Sequence, residues 1–157
     1  MDFIIREMQV QEYPLLRRFL HQAIYLPEGI EPPPLSVLDC PALRVYIENF
    51  GDSAQDRALA AQADGAVVGA IWARIMSDYG HLDNTTPSLA LSVCPAYRGA
   101  GIGTALLEGM MAALRKAGCK RVSLSVQKAN PAVRLYRRVG FETVAETAEE
   151  YIMAAAL

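Results

Sequence analysis

Apolar positions recur along this chain with two periods, and each change of period marks a new element. Leu15, Leu16, Phe19, Leu20 and Ala23 follow three-to-four spacing, which predicts a helix over about 12–25. Pro14 suits its first turn, where a missing N–H costs nothing. Ile102, Leu106, Met110 and Leu114 form a second stripe and predict a helix over 101–117 that Gly118 stops. Shorter helices are expected over 41–50, capped by Asp39 and ended by Gly51, and over 131–139, ended by Gly140.

Two other segments have period two. Over 88–93, Leu89, Leu91 and Val93 alternate with Ser88, Ala90 and Ser92, and Val122, Leu124 and Val126 alternate in the same way over 121–126. Further strands are expected at 3–6, 57–63, 66–76, 141–145 and 151–155, with Asp64-Gly65 as a tight hairpin turn. Three consecutive prolines, Pro32 to Pro34, with Pro27 and Gly29, make 26–36 a semi-rigid loop, and 77–87 is a polar loop. The order β-α-α-β-β-β-α-β-α-β-β predicts an α/β fold with a mixed sheet flanked by helices. No repeat interrupts it, and 157 residues suit one domain spanning 1–157.

Composition narrows the function classes. Apolar residues at 52% against 20% charged argue for a folded chain rather than disorder. A net charge of −2 argues against a nucleic-acid footprint. No apolar run approaches the roughly 18 residues of a membrane span, and the first residues carry no signal-peptide pattern. Cys40, Cys94 and Cys119 are widely spaced and odd in number. They suggest neither a disulfide framework nor a metal site, and a reducing cytoplasm is the expected location.

The chemistry concentrates in residues 97–104, Tyr-Arg-Gly-Ala-Gly-Ile-Gly-Thr, between a predicted strand and a predicted helix. Arg98, Gly99, Ala100, Gly101, Ile102, Gly103 and Thr104 read as a cradle for a pyrophosphate. Glycines admit close backbone approach, free helix N–H groups face the anion, and Arg98 adds charge-assisted hydrogen bonds. A dinucleotide fold asks for another glycine where Thr104 stands and an acid where Gln127 stands. A P-loop asks for Gly-Lys-Ser/Thr, which does not occur.

Arg98-Gly99-x-Gly101-x-Gly103 resembles the coenzyme A loop of the GNAT superfamily of N-acyltransferases. Asn130-Pro131, followed by Tyr136 and by Gly140-Phe141, resembles that family's second segment, and the two together cover about 89–144. The resemblance implies a mostly antiparallel sheet that splays between the strand ending at Val93 and the strand ending at Val126. The acyl-coenzyme A arm enters that gap. It further implies that the backbones of Leu91, Ser92 and Val93 pair with the pantetheine like an added strand, and that an N–H near Val93 holds the acetyl carbonyl. Asn130 is read as a helix cap that also touches the pantetheine. Tyr136 is the candidate catalytic residue, a phenol close to the leaving sulfur.

The expected reaction is direct transfer of an acetyl group from acetyl-CoA to a primary amine, with no metal. The acceptor is a small molecule or an amino-terminal amine, and the layout is compatible with a homodimer. Two other readings stay open: a protein acetyltransferase acting on a lysine or an N-terminus, and a non-catalytic acyl-CoA sensor. The family's glutamate on the strand before the glycine loop is replaced here by Ser88 and Ser92. The base is therefore open among Glu28, Tyr79, His81, Asp83, Glu149 and a water chain. Cys94 lacks a visible activating neighbour and reads as inert. The 26–36 loop, the segment with Arg44 and Tyr46, and the 77–87 loop are expected on the acceptor side. Trp72 reads as core or as a wall of that pocket.

Overall fold

The computed structural model describes residues 1–157. Its strands are β1 (Ile4–Glu7), β2 (Arg57–Ala63), β3 (Ala66–Arg74), β4 (Ser88–Val93), β5 (Arg121–Gln127), β6 (Glu142–Glu146) and β7 (Glu150–Ala156). Its helices are α1 (Leu15–Ala23), α2 (Pro41–Arg44), α3 (Ile102–Lys116) and α4 (Ala132–Val139), with 3-10 turns at Val10–Glu12, Leu35–Asp39 and Pro95–Tyr97. The strands form one sheet in the order β1-β2-β3-β4-β5-β7-β6. Every neighbouring pair is antiparallel except β4–β5. The expected mixed, mostly antiparallel sheet with helices on both faces is therefore what the chain builds.

Turn chemistry accounts for the hairpin between β2 and β3. Asp64 and Gly65 both have positive φ, 52° and 76°, the backbone that a two-residue type I′ turn requires. Ala63 faces Ala66 across it. The long helix α3 that follows the glycine loop ends as expected, with Gly118 at φ 90°.

The second helix is shorter than its sequence pattern predicts. Helical structure stops at Arg44, and the following residues make successive turns. Side chains of β3 explain the stop. Trp72 Nε1 donates to the Tyr46 carbonyl at 3.0 Å, and Arg74 Nη1 donates to the carbonyls of Val45 (3.2 Å) and Glu48 (2.8 Å). Tertiary hydrogen bonds thus take carbonyls that a longer helix would use. Asp39 does not cap this helix. The N-cap is Cys40, and Asp39 pairs with Arg17 at 3.4 Å. The first helix begins at Leu15, after the Val10–Glu12 turn. There the Glu12 carboxylate accepts the Gln9 N–H and both guanidinium Nη groups of Arg6, each at 2.8 Å.

Two apolar clusters sit on opposite faces of the sheet. On one face α3 and α4 bury Leu106, Leu107, Met110 and Val133 against Ile71, Leu89, Leu124 and Met153. On the other, Leu16, Phe19 and Leu20 of α1 pack with Trp72 and Tyr46 over Ala60, Ala70 and Ala90. These alanines keep the sheet surface low, so a helix and an indole fit directly above it. Trp72 is fully buried and belongs to this core.

Candidate active site at the split between β4 and β5

The one parallel pair of strands is barely paired. β4 and β5 share a single bridge, Ser88 with Ser123, and diverge beyond it. The register against β3 decides which backbone groups of β4 face the opening. The Cys94 N–H donates to the Val68 carbonyl at 2.8 Å, and Ser92 lies opposite Ala70. In an antiparallel ladder the hydrogen-bonded positions alternate. Ser92 therefore directs its N–H and C=O to β3, while Leu91 and Val93 direct theirs into the split. The three-residue stretch expected to present its backbone is narrowed to these two. The Ser92 side chain is buried on the α1 face, and its Oγ has no hydrogen-bond partner.

The glycine loop lies at the mouth of the split. Gly99 and Gly101 have φ of 79° and 87°, and a Cβ on either would project into open space. Their absent side chains leave the backbone open to a ligand. Gly103 differs: it sits inside the first turn of α3, where a Cβ would meet Leu135 at 3.4 Å. Gly101 is the N-cap of α3, and no side chain caps the helix. The first intrahelical bond runs from Ala105 N–H to the Gly101 carbonyl at 3.1 Å. The N–H groups of Ile102, Gly103 and Thr104 thus point out of the helix start with the positive end of its dipole. Arg98 uses one of its five donors to bind the Val93 carbonyl at 2.9 Å, which holds the guanidinium beside the loop. Tyr97 anchors the loop by donating its hydroxyl to Asp64 at 2.9 Å. Ala100 is half-buried between the two positive-φ glycines. Together these groups make a concave, donor-rich place for a diphosphate-sized anion.

Beyond β5, Asn130 lies in the turn before α4 and Tyr136 lies on α4 itself. Asn130 Oδ1 accepts the Ala132 N–H at 2.9 Å, which leaves its amide N–H groups for another partner. Tyr136 is 7% exposed and packs edge-on against Phe141, with ring centroids 5.8 Å apart. Burial alone pushes its phenol up to about 12. At neutral pH it is a hydrogen-bond donor held in an apolar wall.

The opposite face of the split is covered by the 77–87 loop. Ser123 Oγ donates to the Gly80 carbonyl at 2.7 Å, and a Cβ on Gly80 would come within 2.9 Å of the Leu124 backbone. Arg121 binds Asp83 at 2.7 Å and Thr86 Oγ1 at 3.0 Å. Asp83 is thus tied up, its carboxyl held well below the usual range by the Arg121 hydrogen bond. His81 Nδ1 donates to the Met76 carbonyl at 2.7 Å and braces the loop. Tyr79, Glu28 and Glu149 are exposed. The carboxylate that this loop does deliver to the split is Asp78, which hydrogen-bonds Ser88 at 2.8 Å. Sequence reasoning passed over it, because Ser-Asp-Tyr-Gly reads as turn chemistry.

The site thus combines a split sheet, a glycine-lined helix start and a buried tyrosine. The family model described as "Acetyltransferase (GNAT) family" matches residues 21–141. The chain belongs to that family and is an acyltransferase enzyme. Among curated relatives it is 36% identical over 113 residues to an N-alpha-acetyltransferase of Sulfurisphaera tokodaii, covering 62% of this chain and 67% of that one. It is 34% identical over 123 residues to a mycothiol acetyltransferase of Saccharomonospora viridis, covering 76% of this chain but 40% of that protein. Among solved structures it resembles the paia N-acetyltransferase from Thermoplasma acidophilum in complex with coenzyme A, with a TM-score of 0.74, 20% identity and full coverage of both chains. It also resembles a ribosomal-protein-alanine N-acetyltransferase from Brucella melitensis, with a TM-score of 0.70, 21% identity and coverage of 98% and 99%. At these identities the structural likeness speaks for the fold.

No helix of the chain is long and apolar enough to cross a membrane.

Proposed function

We propose that residues 1–157 act as a single N-acetyltransferase domain, which transfers an acetyl group from acetyl-CoA to a primary amine within a ternary complex. The observation that carries this reading is the split itself. The outward N–H and C=O of Leu91 and the N–H of Val93 have no strand partner beside the uncapped start of α3, while Arg98 holds the Val93 carbonyl. The glycines with open space above them fit a diphosphate, which supports coenzyme A as the carrier.

Acetyl-CoA supplies a thioester carbonyl. Arg98 and the N–H groups of residues 102–104 bind the diphosphate, with Gly99, Ala100 and Gly101 shaping the loop. Leu91 and Val93 pair with the pantetheine amides as a strand edge would, and one of their N–H groups faces the oxygen on which charge develops. Asn130 offers its free amide hydrogens to the same arm. Tyr136 donates a hydrogen bond to the departing sulfur. Holding thioester and amine in one cleft supplies proximity. The N-alpha-acetyltransferase relative supports an amino-terminal amine as acceptor, and the mycothiol acetyltransferase relative supports a small molecule.

Calorimetric titration with acetyl-CoA, followed by thiol-release assays over peptides and small amines, tests this. Binding with amine-dependent thiol release is expected. Binding without release from any amine would make the protein a sensor, and absence of binding would remove the reading altogether.

A further inference from the structure

The α1 face of the split carries polar groups that the donor-side reading leaves unused. Asp78 stands at the level of the single β4–β5 bridge, where its Oδ1 accepts the Ser88 hydroxyl at 2.8 Å. Its Oδ2 is shut off from solvent and has no hydrogen-bond partner in the chain. No cation offsets it: the carboxylates in ion pairs are Glu12, Asp39, Glu48, Asp56, Asp83 and Glu146. A buried carboxylate oxygen without a donor is rare, because its lost hydration goes unrelieved.

Its neighbours sharpen the picture. Tyr46, 6% exposed, brings its phenol within interaction range of Asp78 and Ser125, a donor close to the carboxyl that closes no full hydrogen bond to Oδ2. Burial, reinforced by Asp78, pushes that phenol well above its ordinary value, so it stays neutral. Glu150 is half-buried on the same face, opposite Gln127 of β5, and forms no ion pair. Two same-face positions along β4 from Ser88, the buried Ser92 Oγ is also without a partner. This face therefore offers oxygens that no group of the chain satisfies and two carboxyls that no cation pairs with. Tyr136 stands on the opposite face, in the α3–α4 cluster. An acceptor entering on the Asp78 side would meet the carbonyl away from the sulfur that Tyr136 serves.

We propose that Asp78 Oδ2 holds the acceptor's amino group by accepting one of its N–H bonds, making Asp78 the acceptor-binding carboxylate. This rests on reading the split as the acetyl-CoA site. Asp78→Asn keeps the oxygen that receives Ser88 and turns a donor toward the incoming amine.

The test uses the acetyl-CoA-free protein saturated with coenzyme A. The probes are tetra-alanine with a free amino terminus and the same peptide N-acetylated, each at millimolar concentration. The free peptide should move the Asp78 carboxyl carbon resonance and the Ser88 amide, and the acetylated peptide should move neither. In Asp78→Asn the free peptide should bind at least about tenfold more weakly, with coenzyme A affinity changed by less than about twofold. Equal shifts from both peptides, shifts from neither, or undiminished peptide binding in the variant would each overturn the proposal. If the variant does not fold, the wild-type resonances decide alone. Failure of coenzyme A to bind would overturn the donor reading instead, and calorimetry shows that before any peptide is added.

Discussion

Replacing Tyr136 by phenylalanine isolates one hydroxyl. The ring keeps its edge-on contact with Phe141 at 5.8 Å, and the phenol loses no partner within the chain, since burial is the sole cause of its shift to about 12. A thiol titrates near 8.5, so complete proton transfer from this phenol to a thiolate is uphill by about 3.5 units, or about 5 kcal/mol. A hydrogen bond to the developing thiolate carries no such penalty, and bonds to charged groups are worth about 1.5–3 kcal/mol. Tyr136→Phe should therefore lower kcat by about 10- to 150-fold. Acetyl-CoA affinity by calorimetry should change by less than about twofold. The phenol should impose no ionisation on kcat below about pH 11. Wild-type turnover in the variant, or an alkaline limb near pH 10 that vanishes with the hydroxyl, would refute the reasoning. Stability supplies an independent check. The folded phenol titrates above the unfolded one, so the unfolded chain releases its proton first. The stabilisation is complete below about pH 10 and is lost between about 10 and 12, amounting to about 3 kcal/mol. Denaturant melts across that range should show a shallower decline in the phenylalanine variant.

Gly101→Val places a branched side chain at φ 87° in the open space above the loop. It should cost about 1–3 kcal/mol in stability and weaken acetyl-CoA binding by more than the melting shift accounts for; unchanged affinity in the calorimeter would sink the cradle. Gly80→Ala forces a methyl to 2.9 Å from the Leu124 backbone, so thermal melting should show a loss of about 1–3 kcal/mol, and a neutral result would mean that the loop does not sit tightly on β5. Glu12 is held down at about 2, chiefly by the Arg6 hydrogen bond, so its stabilisation is present above about pH 4.5 and is lost as pH falls toward 2. Glu12→Gln should flatten that acid limb in denaturant titrations, and an identical limb would show that the pair contributes nothing.

Much of this architecture was legible because local chemistry and tertiary packing agree. β2 and β4 have the bounds expected from the sequence, and Asp64-Gly65 turns where it should. The 41–50 helix failed for a tertiary reason: Trp72 and Arg74, nearly thirty residues later, take its carbonyls. The glycine loop was visible as a motif, but the different duty of Gly103 was not, since only backbone angles separate it from Gly99 and Gly101. Asp78 left no periodic or motif signal. Its importance comes from Ser88 and from the point where β4 and β5 part, and neither is encoded near it.

The thinness of the β4–β5 contact also divides the molecule mechanically. α3 packs on β2, β3 and β4, whereas α4 packs on β5 and on α3. The chain thus consists of two half-sheets joined by one backbone bridge, helix packing and the tucked 77–87 loop. Such seams are where cooperative units separate. Amide exchange should therefore distinguish β5, β6 and β7 as a group from the firmly laddered β2–β3 pair. A ligand strand seated between Leu91 and β5 would act as a missing rung, and its occupancy would be readable as slowed exchange throughout the C-terminal half, far from any atom it touches.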